Sequence, residues 1–353
     1  MAPVRFVRLW NALRKRLKLM RPSSDSCNAP LYTSCVMGEE IHAQLAALLS
    51  RRPIGRVHSI FENGINLAMG DALVFVGTTK NGRLPFGIHM GQESVRRLRF
   101  YVIRYDAVIA GTPDMIQFHH PAYPLMLDLS QAAPFHYGIC ADRYRTFRDI
   151  FNVNTFMKIC LSWGVPTGLD VEWDRFLAND YMPDDPQYVT VQHAEQLLDA
   201  LLSGEVRVIE SHLRYFLGRG KGLTPSGDDF LVGLLAVHTM TQAFHPAFLT
   251  TLRHIVERED ITTDVSKAYL LHALHGRFSD KVTHVLNAMF TEDTSRFQAK
   301  LAQLLHTGHS SGIDTAFGIA NAIMALRRYE HVRTSCDCIG GQRHFAASSR
   351  SNL

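Results

Sequence analysis

Along the second half of the chain, apolar residues recur at steps of three and four, the spacing of one face of an α-helix. Short polar stretches, several with glycine or proline, separate these periodic segments. The pattern predicts helices over residues 193–202, 206–217, 229–242, 246–257, 266–275, 280–290, 295–305 and 313–328. The second half is therefore predicted to be all-helical.

In the first half, the pattern changes to short β-branched and aromatic runs, which are typical of strands. Asn63-Gly64 and Asn81-Gly82 have the composition of hairpin turns. The predicted strands cover residues 57–61, 72–76, 100–104 and 107–110, and helices are expected over 38–50 and around 142–163. An antiparallel sheet is therefore predicted between residues 55 and 111.

The fold class that follows is α+β, with a β-rich N-terminal domain followed by an all-helical C-terminal domain. The boundary is placed in DYMPDDPQ, residues 180–187, because two prolines and three acids oppose regular structure. We expect a β-rich domain over 37–187 and a helical domain over 188–330. The small, polar residues 331–353 are expected to form a disordered tail.

Residues 1–36 are expected to form a basic extension. Seven of the 37 basic side chains lie in residues 1–21, where there is no acid, so the rest of the chain has 30 basic and 33 acidic side chains. That balance argues against a broad nucleic-acid surface. Phe6, Trp10 and Leu13 lie at helical spacing, so the extension is either an amphipathic surface helix, a disordered arm, or the product of a start codon assigned too early.

Membrane crossing and disulfide bonding are not expected. The longest apolar runs, such as residues 230–237, are far shorter than the roughly 20 residues that a membrane span requires. The six cysteines are scattered over 353 residues, which is typical of reduced thiols. The expected location is the cytoplasm.

Residues 218–238, GRGKGLTPSGDDFLVGLLAVH, place a polar, glycine-rich cluster directly before an apolar helix. Ser226 is a natural N-cap, and Asp228 and Asp229 suit the first helical turn. Capping explains a serine and one acid. It leaves out the glycines, which let backbone amides approach a ligand, and the remaining polar residues Arg219, Lys221 and Thr224.

Residues 304–323, LLHTGHSSGIDTAFGIANAI, have a similar arrangement. Gly308 ends one helix, His309 and Ser310 follow, and Asp314 lies three residues after Ser311 as in a capping box. Helix capping alone would also explain this arrangement. Two glycine-rich helix starts could instead converge on one pocket and offer free amide donors from both sides.

Such a pocket favours an anion, but the paired aspartates would repel a bare phosphate. Either a magnesium ion, held through one of these carboxylates and waters, lies between the aspartates and the anion, or the acids accept hydrogen bonds from amide groups of the substrate. A small molecule with both anionic and amide groups would bind the free backbone amides through its anionic group and the aspartates through its amide group. A third segment, residues 262–282, is interpreted mainly as helix caps, and no Walker A loop or H-E-x-x-H pair occurs.

GLTPSGDDFLVG, TTDVSKAYLLHALHG and GHSSGIDTAFG, in this order, resemble a bacterial family that includes the AllH subunit of oxamate carbamoyltransferase. The resemblance implies a role in anaerobic allantoin breakdown, a branch of purine catabolism. The reaction it implies converts oxalurate and phosphate to oxamate and carbamoyl phosphate. It also implies a complex with two further transferase subunits, one of them FdrA-like.

The resemblance implies that the two glycine-rich turns form opposite walls of the site. The expected catalytic residues are Asp228, Asp229 and His309, with Asp228 and Asp229 as the candidate magnesium ligands. The expected substrate-binding residues are Arg219, Lys221, Thr224, Ser226, Gly227, Ser310, Ser311 and Asp314. The alternative function is a non-catalytic anion sensor or assembly subunit of an FdrA-like acyl or carbamoyl transfer complex.

Overall fold

The computed structural model describes residues 34–348 except 52–53, 103–106, 113, 120–124, 141–151 and 183. Its strands are β1 (Ser34–Met37), β2 (Glu40–His42), β3 (Ile54–Phe61), β4 (Gly64–Met69), β5 (Ala72–Gly77), β6 (Gly87–His89), β7 (Ala107–Thr112), β8 (Met115–His119), β9 (Leu125–Asp128) and β10 (Ala133–Phe135). Helices α1 (Leu45–Arg51) and α2 (Gln92–Tyr101) lie among them. The predicted extension falls outside the described residues, apart from the start of β1.

The strands of the described residues form one sheet in the order β1-β9-β8-β7-β3-β4-β5-β6-β2-β10. Most neighbours are antiparallel, as predicted, but β5 pairs with β6 and β2 pairs with β10 in parallel. In the middle of the sheet, β4 pairs along its whole length with β5, with Ile65 opposite Val76. Both of these side chains are buried in the core of the sheet region.

Two sequence-based assignments in this half are wrong. The helix predicted over 38–50 is strand β2 followed by the shorter helix α1, because Ile41 and His42 are both buried where β2 pairs with β6 and β10. The strand predicted over 100–104 begins inside helix α2, which ends at Tyr101. Val95 and Leu98, three residues apart, are buried on one face of α2. This helical spacing lies just before residue 100, where the predicted strand began, so the helix continues into the predicted strand.

The C-terminal region is helical, as predicted. Its helices are α3 (Val153–Trp163), α4 (Trp173–Ala178), α5 (Pro186–Ser203), α6 (Val206–Phe216), α7 (Ser226–Thr241), α8 (Ala247–Arg258), α9 (Asp264–Ala273), α10 (Asp280–Ala288), α11 (Thr294–Leu305) and α12 (Ser311–Ser348). The α+β fold class is therefore confirmed. Within the described residues, no helix is long and apolar enough to span a membrane.

Helices α7 and α12, which begin at the two polar motifs, pack directly against each other. A Cβ atom at Gly233 would lie 2.3 Å from the Thr315 carbonyl oxygen, and one at Gly318 would lie 2.1 Å from the Phe230 carbonyl oxygen. Only glycine permits so close an approach of two backbones. This packing places the N-terminal turns of both helices at the same end of the helical layer.

The predicted domain limits differ in two places from the extent of the helical region. Helices α3 and α4 precede residues 180–187, yet Phe156 and Trp173 belong to the helical core. Residues 180–187 lead into α5, where Asp185 caps the helix by accepting a hydrogen bond from Gln187 N–H at 2.9 Å. Helix α12 extends to Ser348, through most of the tail that composition predicted to be disordered, because extending a formed helix costs little compared with starting one.

Candidate functional site

A cavity of about 450 Å³ lies between the sheet and the starts of the helices. The helical side of its wall comes from the loop before α7, the first turns of α9 and α10, and the turn before α12. The sheet side comes from the β3–β4 hairpin, β5, and the β5–β6 loop. The wall residues from the two polar motifs are Lys221, Gly222, Leu223, Thr224, Asp229, Leu304, Thr307, Gly308, His309, Ser310, Ser311, Gly312 and Thr315.

The start of α7 differs from the predicted cap. Pro225 occupies the N-cap position, and its carbonyl oxygen accepts hydrogen bonds from the N–H groups of Asp228 and Asp229. Ser226 is therefore the first helical residue and is buried behind the cavity wall. Gly227 also lies behind the wall, because a Cβ there would be 2.0 Å from the Phe216 carbonyl oxygen. Neither residue lines the cavity.

Asp228 ties three segments together. Its Oδ1 accepts a hydrogen bond from Gly218 N–H at 3.0 Å, and its Oδ2 accepts from Ser266 Oγ at 2.7 Å and from Thr262 Oγ1. Burial raises the pKa of Asp228, and these hydrogen bonds oppose the shift. Both carboxylate oxygens are thus engaged away from the cavity, and the arrangement anchors the start of α7 to the start of α9.

Asp229, the next residue, lies in the cavity wall and has a different environment. Its side chain is 7 % exposed, and its Oδ2 has no hydrogen-bond partner among the described residues. Burial raises the pKa of Asp229 well above its usual value, and the nearby charge of Asp314 raises it further. The hydroxyls of Ser311 and Thr224 act in the opposite direction. A buried carboxyl of this kind keeps its proton to a higher pH than an exposed one does, so it is suited to donate a proton.

The turn before α12 faces the loop before α7 across this end of the cavity. Gly308 has a φ of 65°, the left-handed conformation in which helices commonly end. The hydroxyls of Thr224 and Ser311 are 2.9 Å apart and form a hydrogen bond that joins the two turns. No described residue accepts a hydrogen bond from the N–H groups of His309 or Ser310. The first turn of a helix and free amides together favour an anion.

Asp314 lies behind this wall and is completely buried. Its Oδ1 accepts a hydrogen bond from Gly168 N–H at 2.7 Å. Burial raises the pKa of Asp314 to about 6, and the hydroxyls of Ser226 and Ser310 oppose the shift. Asp314 is therefore close to the predicted site but does not reach the cavity.

Arg219 is not brought to the cavity. Its guanidinium stacks on the Tyr215 ring at 3.8 Å, and its Nε donates a hydrogen bond to the Tyr215 carbonyl oxygen at 2.8 Å. Arg219 lines a separate surface hollow that also includes Asp170. Lys221 and His309 do line the cavity, so its helical end carries the ammonium group of Lys221 and the imidazole of His309.

The predicted magnesium ligands Asp228 and Asp229 point to different places. Only Asp229 lines the cavity, whereas Asp228 is occupied by the donors described above. In the part of the chain that the structure describes, no three or more His, Cys, Asp or Glu side chains form a group that could hold a metal ion. A magnesium ion held through one carboxylate and waters stays a prediction.

Sequence reasoning missed the sheet side of the wall. Asn63, Asn66 and Asn81 supply amide groups there, and Phe75 supplies an aromatic surface. The Asn-Gly pairs were interpreted only as turns, although both turn tips lie at the cavity. A further wall residue is Tyr269 of α9, whose pKa is raised by burial. It belongs to the third motif, for which capping was the main interpretation.

Side-chain contacts hold the sheet against the helices around the cavity. Arg83 of the β5–β6 loop bonds Glu40 Oε2 at 2.6 Å through Nε and Asp280 Oδ2 at 3.3 Å through Nη1. Lys281 Nζ donates to the Lys80 carbonyl oxygen at 2.9 Å and to Thr307 Oγ1 at 3.1 Å. The β5–β6 loop is thereby fixed to α10 and to the turn before α12.

Two family models match the chain. Residues 216–323 match the model described as oxamate carbamoyltransferase subunit AllH, and residues 34–134 match the AllH family N-terminal domain. The first match includes both polar turns and α9, and the second covers the strands of the sheet. Together they cover more than half of the chain. No solved structure matches the chain.

Proposed function

Because the chain belongs to the AllH family, we propose that it is a cytoplasmic carbamoyltransferase subunit whose cavity binds a small acid bearing an amide group. The proposed substrates are oxalurate and phosphate, with oxamate and carbamoyl phosphate as products. FdrA-like and further transferase subunits are the proposed partners, and purine catabolism through allantoin is the proposed context.

Asp229 carries this proposal, because it is a buried carboxyl whose Oδ2 lacks a partner in the cavity wall. An unsatisfied buried oxygen is unfavourable, so a ligand that hydrogen-bonds to it gains affinity. Asp229 lies beside Thr224 and Ser311, and the turn before α12 adds the free amides of His309 and Ser310. An anionic group at the amides and a carbamoyl or amide group at Asp229 would satisfy both.

The reaction requires that the bond between the carbamoyl carbon and the oxamate nitrogen breaks while a phosphate oxygen bonds to that carbon. The leaving nitrogen must gain a proton, and we assign this proton to Asp229. Burial raises the pKa of Asp229, which favours the protonated form that a general acid requires. In the reverse direction, the same carboxylate would take the proton from oxamate. Lys221 and the free amides would stabilise the phosphate and the developing oxyanion.

The test is reconstitution with the FdrA-like and further subunits, followed by assay of carbamoyl phosphate formed from oxalurate and phosphate. We expect Asp229→Asn to lower turnover by about 100-fold or more. The matched control is Asp199→Asn, because Asp199 is an exposed residue of α5. Full turnover in Asp229→Asn would remove Asp229 from the mechanism. Unchanged turnover with weakened oxamate binding would instead favour the sensor or assembly role.

A further inference from the structure

Behind the cavity wall, three separate segments of the chain meet at one buried carboxylate. Asp314, in the first turn of α12, accepts the hydrogen bond from Gly168 N–H on the segment between α3 and α4. The hydroxyls of Ser226, at the start of α7, and of Ser310, before α12, lie beside the same carboxylate and lower its pKa, while its Oδ2 has no hydrogen-bond partner among the described residues. No atom of Asp314 or Gly168 lines the cavity, so their contacts affect a ligand only through the wall residues in front of them.

The turn that presents Gly168 is held by its own hydrogen bonds. Thr167 N–H donates to the Val171 carbonyl oxygen at 3.0 Å, and Val171 N–H donates to Thr167 Oγ1 at 3.0 Å. Asp170 within the turn has a φ of 60°, a conformation that is unfavourable for a non-glycine residue. These hydrogen bonds, with Thr167 buried at the base of the turn, fix the position of Gly168.

Glycine is required at position 168 because its neighbours are too close for a side chain. A Cβ there would lie 2.1 Å from Ser226 Oγ, 2.6 Å from Ser310 Oγ and 2.9 Å from Asp314 Oδ2. The backbone of the 167–171 turn thus fills the space between the two polar motifs. Residue 168 lies outside both segments that match the family models.

We propose that Asp314 and Gly168 are positioning residues, which hold the turns 222–226 and 308–312 so that Thr224, Ser310 and Ser311 face the cavity. The residues beside Asp314 are close in sequence to the residues of the cavity wall. Ser226 is two residues from Thr224, and Ser310 and Ser311 are themselves wall residues. The identity of the ligand rests on the proposed function, whereas the positioning is a property of the unliganded chain.

Hydrogen exchange of the unliganded full chain tests the positioning without any ligand. We expect Gly168→Ala to accelerate amide exchange in 222–226 and 308–312 by about tenfold or more, with exchange in the buried middle of α7 unchanged. The matched control is Gly138→Ala, since the nearest atom to a Cβ there is His136 Nε2 at 3.8 Å. Acceleration that is equal everywhere, or absent from the two turns, would overturn the proposal.

Variants of Asp314 provide a second measurement that does not require an added methyl group. Asp314→Ala should accelerate exchange in the same two turns. Asp314→Asn should largely restore slow exchange, because its amide oxygen can still accept from Gly168 N–H and its NH₂ group can donate to the serine hydroxyls. Equal effects of Ala and Asn in these turns would contradict a positioning role for the carboxylate.

Titration of the same proteins with oxamate and with inorganic phosphate separates this proposal from the proposed function. If the wild-type chain binds, Gly168→Ala should weaken binding by about tenfold while Gly138→Ala binds normally. Normal affinity in Gly168→Ala would overturn the link between the turn and the ligand. If the reconstituted wild-type complex binds neither probe, the proposed ligand is wrong, and the exchange pattern alone decides the positioning.

Discussion

Replacing Asp229 by asparagine should stabilise the unliganded protein while it impairs function. At neutral pH and above, the wild-type chain must either hold a buried proton on Asp229 or bury a charge close to Asp314. Asparagine is similar in shape, carries no charge, and can donate its NH₂ group to the neighbouring hydroxyls of Thr224 and Ser311. Residues that destabilise the fold are expected at sites where a ligand supplies the missing interaction.

The size of the effect follows from the unpartnered Oδ2. A buried polar atom without a partner costs about 1–3 kcal/mol, and more when it is charged. For a chain of this size, that difference corresponds to a rise in melting temperature of roughly 1–4 °C. Asp199→Asn, on an exposed helix face, should change the melting temperature by no more than about 1 °C.

The raised pKa of Asp229 also determines how the stability of the protein changes with pH. The pKa of Asp229 is higher in the folded chain than in the unfolded chain, so its contribution to stability is complete below the unfolded value of about 3.9. That contribution is lost as the pH rises through the folded-state pKa. The melting temperature of Asp229→Asn should therefore exceed that of the wild type by a margin that grows from pH 5 to pH 8.

Thermal unfolding followed by circular dichroism between pH 5 and pH 8 measures this margin, with Asp199→Asn scanned in parallel. A variant that is less stable than the wild type at pH 8 would refute the reasoning. A margin that does not change with pH would refute it as well, since the effect would then not arise from the ionisation of Asp229.

Three further substitutions test other parts of the site. Asp228→Ala should lower the free energy of unfolding in urea by about 3 kcal/mol or more, since it leaves three donors without an acceptor; a loss below about 1 kcal/mol would contradict the anchoring role. Thr224→Val removes the 2.9 Å hydrogen bond to Ser311 and leaves the side-chain volume almost unchanged. Calorimetry should show about tenfold weaker oxamate binding, with little change in melting temperature. Unchanged affinity would exclude this hydroxyl from the site. Arg83→Ala should reduce stability to urea by about 1–3 kcal/mol, because it cuts the link from the sheet to Asp280, and an unchanged urea midpoint would show that the link is dispensable.

The helical half was predictable because its signal is local. Apolar spacing in α6, α8 and α11 repeats over three turns, so the predicted and observed limits differ by at most one residue. The strands β8 to β10 were missed, since short runs between prolines acquire their structure only by pairing with distant strands. The two parallel pairings likewise depend on contacts between segments remote in sequence.

The candidate site was partly predictable for the same reason. The motifs identified the loop before α7 and the turn before α12, and the structure brings Thr224 and Ser311 into contact. Sequence could not separate the roles of Asp228 and Asp229, because adjacent helical residues point in directions about 100° apart and their partners lie on other helices. Gly168 and the asparagines on the sheet side of the cavity could not be identified from sequence, because glycine and asparagine are common in any turn.

A crystal structure of the reconstituted complex grown with oxamate and carbamoyl phosphate would locate the ligands themselves. We expect electron density in the cavity between the sheet and the helices, with an oxygen or nitrogen of the ligand within hydrogen-bonding distance of Asp229 and an anionic group against the amides of His309 and Ser310. Well-ordered ligands bound elsewhere in the complex, with this cavity filled only by water, would contradict the assignment of the two polar turns as the binding site.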